Sequence, residues 1–175
     1  MSSNQKINRM VLAALFLALA LVLPFLTGQI KEIGNALCPM HIPVLLCGYF
    51  CGPWYGLAVG FIAPLLRFLL FGMPALFPNG TAMCFELAAY GLVSSLLYTH
   101  LSDSRKRIYI SLIGAMLAGR IIWGMVRVIL MGVASVEFGW PVFIGGAFLN
   151  AIPGIILQLI LIPILVARLK NYTYS

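Results

Sequence analysis

Acidic side chains are scarce in this chain: Asp and Glu number 4 among 175 residues, and all charged residues together make up 9%. Ordinary soluble domains carry about 25% charged residues, so composition excludes a soluble core. Signatures of catalysis are missing as well. There is no nucleophile elbow, no H-E-x-x-H helix, no Walker A loop and no pair of intramembrane aspartates. Hence no enzymatic activity and no cofactor is expected, and active transport would need an ATPase supplied by another chain. Cysteine is limited to Cys38, Cys47, Cys51 and Cys84, which makes a disulfide framework unexpected in so apolar a chain. Cys47 and Cys51 lie four residues apart on one helix face, with Cys38, Cys84 and His41 as conceivable companions. No second Cys/His pair with ligand spacing accompanies them, so they read as small buried hydrophobes and no metal is expected.

What the chain has instead is apolar length. Hydrophobic residues make up 62% and the mean hydropathy is +1.05. This length holds about six spans of roughly 20 residues with short connections, which implies one transmembrane domain over residues 1–175. The net charge of +7 does not point to nucleic acid, because most basic residues flank apolar segments, where they orient helices in a bilayer.

After a polar, basic start, Met1 to Asn8, an apolar run from Arg9 to about Thr27 is too long for a signal-peptide core and is followed by no small-residue cleavage site. It is expected to stay as span one. Gly28 to Pro39 forms the first loop. His41 to Gly52 is a short or tilted second helix with Pro43 in its first turn, where proline is tolerated. Gly52-Pro53 marks a turn, Trp54 to about Phe71 is span three, Met73 to Gly80 a loop, and Thr81 to about Thr99 span four. Ile108 to about Val133 and Trp140 to about Ala167 complete the set. An even count places both termini on one side, together with Lys6, Arg9, Arg105, Lys106, Arg107, Arg168 and Lys170. The positive-inside rule makes that side cytoplasmic. The expectation is an all-α, multi-pass protein of a prokaryotic plasma membrane.

Charge inside these spans points to a binding site. Arg120 and Arg127 lie seven residues apart with Trp123 between them on the same helical face. An ionised guanidinium at the centre of a span costs about 2.5–3.5 kcal/mol on insertion scales, so it must face protein, water or an anionic ligand. The topology puts Arg67, Glu86 and Arg127 at similar depth near the outer leaflet, Arg120 about two turns deeper, and Asn150 within reach of that layer. A polar pocket open to the outside fits this arrangement. The competing readings are structural: an Arg67–Glu86 ion pair fixing helix register, Arg127 snorkelling to headgroups, Arg120 held by Glu86 or a backbone carbonyl, Trp123 as packing, and Asn150 and Gln158 as interhelical hydrogen bonds. Ala14 and Ala18 form a small-xxx-small pair on span one that lets another helix approach closely.

Six spans in this length, cytoplasmic termini, the Ala14/Ala18 pair, a long first outer loop and no nucleotide site resemble the substrate-binding S component of an energy-coupling factor (ECF) vitamin transporter. The stretch MHIPVLLCGYFCGPWYGLAVGFIAPLLRFLLFG, Met40 to Gly72, is similar to spans two and three of that family's vitamin-binding members. The resemblance implies a six-helix bundle that captures a vitamin from outside, then associates with a transmembrane coupling subunit and two cytoplasmic ATPase subunits and topples to release its cargo. Ala14 and Ala18 would face the coupling subunit, Gly28 to Pro39 would be a lid, and the loop Met73 to Gly80 would lie beside it. Arg67, Arg120 and Arg127 set against Glu86 favour a ligand with a carboxylate. Pantothenate is the first expectation, its hydroxyl and amide groups meeting Asn79, Tyr90, Asn150 and His41. Folate, niacin and biotin answer the same argument, and a thiamine or pyridoxine relative stays open. The alternatives are a stand-alone secondary transporter or channel for a small anion, which should show internal repeats, and an intramembrane enzyme or assembly factor whose charges are structural.

Overall fold

The computed structural model describes residues 3–27, 37–102, 106–133 and 152–173, and every regular element among them is helical. Helix α1 runs Ser3–Val22 and tightens into a 3-10 turn, Leu23–Thr27; α2 is His41–Cys51 and α3 Pro53–Phe71. An irregular turn, Leu76–Gly80, leads into α4, Thr81–His100; α5 is Lys106–Val133 and α6 Ile152–Thr173. The helix of span one begins at Ser3, within the polar, basic start of the chain and ahead of the apolar run. Gln5, Lys6 and Arg9 are good helix formers and no Gly or Pro interrupts them.

Five of the helical segments, those of α1, α3, α4, α5 and α6, are long and apolar enough to cross a membrane. Helix α2 is not. Its 11 residues rise about 16 Å at 1.5 Å per residue, roughly half of a ~30 Å hydrocarbon core. The predicted early part of the last span, including Asn150, and most of the first loop lie outside the described residues.

The shortest helix is nevertheless the most enclosed. His41 to Gly48 are all buried, with Val44, Leu45 and Cys47 fully so, and α1, α3, α4 and α6 all pack on α2. A helix apolar on all sides belongs inside a bundle. Gly52, with φ +104°, makes the turn into α3, where a side chain would be strained.

Helices α2, α3 and α4 meet backbone to backbone through glycine. A Cβ added at Gly91 would collide with the Gly56 carbonyl, one at Gly60 with the Leu87 carbonyl, and one at Gly48 would sit 2.5 Å from the Gly91 oxygen. Small residues at such crossings replace side-chain interdigitation with close main-chain contact. This seam also fixes the rotation of α4. Leu87 and Gly91, one turn apart, face α3; successive residues of a helix are separated by about 100°, so Glu86 and Tyr90 are turned away from α3.

Candidate polar site between helices α2, α4 and α5

Glu86 sits in the second turn of α4 and Tyr90 one turn further on, both 1% exposed. Across from them on α5 lies Gly119, where a Cβ would come within 2.9 Å of the Tyr90 ring and 3.2 Å of the Glu86 carbonyl. That close approach delivers the next residue, Arg120, to the carboxylate: its Nη1 is 3.0 Å from Glu86 Oε1. His41, the first residue of α2, brings Nε2 to 3.5 Å from the same oxygen and packs its ring edge-on against Tyr90 with centroids 5.0 Å apart. Arg120 Nη2 also donates to Cys38 Sγ at 3.8 Å. Burial pushes the Cys38 thiol up from its ordinary range, so this partner is a neutral acceptor. Cys38 has φ 47°, a left-handed conformation uncommon for a residue with a side chain.

The cluster is deeply buried, yet its hydrogen bonding is incomplete among the described residues. Neither ring nitrogen of His41 has a hydrogen-bond partner, nor does Arg120 Nε. Buried polar groups are nearly always satisfied, by protein, water or ligand. Gln158 on α6, 1% exposed, has an unpartnered Oε1 as well.

Two turns along α5 from Arg120, Arg127 Nη1 donates to Asn79 Oδ1 at 3.0 Å, and its guanidinium lies 5.0 Å from the centre of the Trp123 ring. Asn79 belongs to the irregular turn before α4. That turn is closed by Gly80 N–H donating to the Ala75 carbonyl at 2.8 Å and by Thr81 Oγ1 donating to the Leu76 carbonyl at 2.8 Å.

Arg67 goes elsewhere. Buried on α3, it donates from Nη1 to the Leu21 carbonyl at 2.6 Å and lies against the edge-to-face pair of Phe25 and Phe71, 5.2 and 5.5 Å from the ring centres. The Arg67–Glu86 pair considered from the sequence is therefore not formed. Glu86 pairs with Arg120, because the glycine seam turns Leu87 toward α3 and Glu86 toward α5. The structure brings His41, Glu86, Tyr90 and Arg120 together, sets Asn79, Trp123 and Arg127 beside them on α5 and the adjoining turn, and separates Arg67. Ala14 and Ala18 are exposed on α1.

Two participants escaped sequence reading. Cys38 reads in the sequence as a small hydrophobe, and nothing in its type marks it as an arginine partner. The glycine seam did carry a signal: Gly48, Gly52, Gly56 and Gly60 recur every four residues.

A family model described as ECF transporter, substrate-specific component matches residues 8–166. No curated protein and no solved structure matches the chain.

Proposed function

Because this chain belongs to the ECF transporter substrate-specific component family, we propose that it captures a small water-soluble vitamin bearing a carboxylate, pantothenate being the first candidate. It hands that cargo to a transmembrane coupling subunit powered by two cytoplasmic ATPase subunits. The observation that carries this reading is the enclosed group of His41, Glu86 and Arg120, whose inward polar atoms have hydrogen-bonding capacity to spare. Bundles of membrane helices rarely bury such groups without using them. A bound nutrient satisfies them, and so lowers the cost of keeping charge in a low-dielectric interior.

In this reading Arg127, Asn79 and Trp123 form one wall of the site and Tyr90 lies beneath it. Asn150, outside the described residues, is a further candidate contact for the ligand. Within the site Arg120 and Arg127 outnumber Glu86 and favour an anionic group on the ligand. Arg67 acts at one remove, by fixing the end of α1. The short α2 counts as the second of six crossings, with both termini cytoplasmic in a prokaryotic plasma membrane.

Native mass spectrometry of the gently purified protein tests the proposal. A co-purifying mass equal to a carboxylated vitamin, with a coupling subunit and ATPase pair recovered from the same membranes, is the expected result. A chain that takes up small anions by itself in vesicles would instead be a stand-alone transporter or channel.

A further inference from the structure

Arg120 does not stand in the candidate site as an uncompensated positive charge. Arg120 is compensated by Glu86 at 3.0 Å, and His41 lies against the same carboxylate oxygen at 3.5 Å. The anion preference expected from counting arginines does not extend to this point. What the cluster offers instead is hydrogen-bonding capacity of both kinds. Among the described residues the His41 ring has no hydrogen-bond partner beyond the 3.5 Å approach of Nε2 to Glu86, which leaves Nδ1 open to a ligand, and Arg120 Nε adds an unpartnered donor. These atoms are enclosed, with His41 3% and Arg120 6% exposed. An anion brought here would lie against the Glu86 carboxylate in a low-dielectric interior, where like charges repel strongly.

From this juxtaposition we infer that the His41–Glu86–Arg120 cluster is a subsite for an uncharged hydrogen-bonding group, such as a hydroxyl or amide, and excludes a second anion. This rests on the capture of a carboxylated vitamin proposed above. It fixes the orientation of that ligand: the neutral polar end goes inward against His41, and the carboxylate is held elsewhere in the site. It also makes Glu86 a specificity residue, since it cancels the charge that would otherwise draw an anion to Arg120.

The test is equilibrium binding to the purified full chain. Pantothenate, biotin, folate and nicotinate are titrated first; binding of none of them overturns the capture reading and this inference with it. For the vitamin that binds, a derivative carrying a second anionic group at the end remote from its carboxylate is compared, which for pantothenate is 4′-phosphopantothenate. The wild-type protein should bind that derivative about a hundredfold more weakly, and Glu86→Gln should narrow the gap at least tenfold. His41→Phe keeps the ring and its edge contact with Tyr90 but removes both nitrogens. It should weaken the vitamin about tenfold without lowering the thermal stability of the ligand-free protein. Vitamin binding with equal tolerance of the phosphorylated derivative, a gap that Glu86→Gln leaves unchanged, or a His41→Phe protein that is less stable but binds as before would each overturn the subsite while leaving capture intact.

Discussion

Arg120 on α5 and Glu86 on α4 face each other at 3.0 Å with 6% and 1% of their surfaces exposed. A pair this deep is worth little net as an interaction, but losing one member strands the other. Glu86→Ala or Arg120→Ala should each destabilise the protein by about 3–5 kcal/mol. The double variant Glu86→Leu/Arg120→Met, which removes both charges and keeps the volume, should recover most of that loss. Unfolding in detergent, followed by the melting temperature of the four proteins, checks the expectation. Two single variants as stable as wild type would mean that water already solvates the pair.

The glycine seam makes a sharper structural prediction, because the chain carries its own control. At Gly91 an added methyl meets the Gly56 backbone, whereas at Gly132 it meets nothing within 4 Å. Gly91→Ala should force α3 and α4 apart at a cost of about 1–3 kcal/mol or more, and should also shift Glu86, five residues earlier on α4. Gly132→Ala, in the last turns of α5, should be neutral or slightly stabilising through better helix propensity. Comparable melting temperatures for the two variants would refute the close crossing.

These two cases show which parts of the fold and site can be read from residues alone. Helix positions were legible because apolar runs of membrane length, broken by Gly-Pro and Asn-Gly, leave few alternatives, and the α3 and α4 spans agree with the structure to within a residue. The common face of Arg120, Trp123 and Arg127 follows from helical periodicity. Pairing across helices was less legible. Depth and sign leave Glu86 open to either Arg67 or Arg120; which arginine it meets depends on the rotation of α4, and that rotation is set by Leu87 and Gly91 against Gly60 and Gly56. Arg67 found a backbone carbonyl, a partner with no residue-type signature. The closeness of Cys38 to Arg120 likewise depends on how the chain enters α2, not on spacing.

Arg67 is predicted to be a clamp for the end of α1. The Leu21 carbonyl it binds lies in the last turn of that helix, where carbonyls lack intrahelical partners and a cation is favoured by the helix dipole. Arg67→Ala should cost about 1.5–3 kcal/mol, the range for a hydrogen bond to a charged group, and should speed amide exchange around Leu21 to Phe25. Vitamin affinity should stay within about threefold of wild type, because the guanidinium points at α1 and not at Glu86. Arg67→Lys should restore part of the stability, through its ammonium but without the planar group that lies against the Phe25 and Phe71 rings. A loss of binding with unchanged exchange at α1 would return Arg67 to the site.

Ala14 and Ala18 test the division between capture and delivery. Helix α1 turns Ala13, Phe16 and Ala20 into the bundle, with exposures of 5%, 5% and 0%, while Ala14 and Ala18 lie on the exposed side next to Val11 and Leu15. Both positions are exposed among the described residues, so Ala14→Phe or Ala18→Phe should leave melting temperature and vitamin affinity unchanged. Lipid tolerates either size, and bulk by itself does no harm on a lipid-facing surface. A partner helix that needs close approach does not tolerate it, so uptake by cells expressing the complete transporter should fall by an order of magnitude or more. The two readouts separate the explanations: normal binding with normal uptake would mean that α1 faces only lipid, and weakened binding would mean that this face packs within the chain after all.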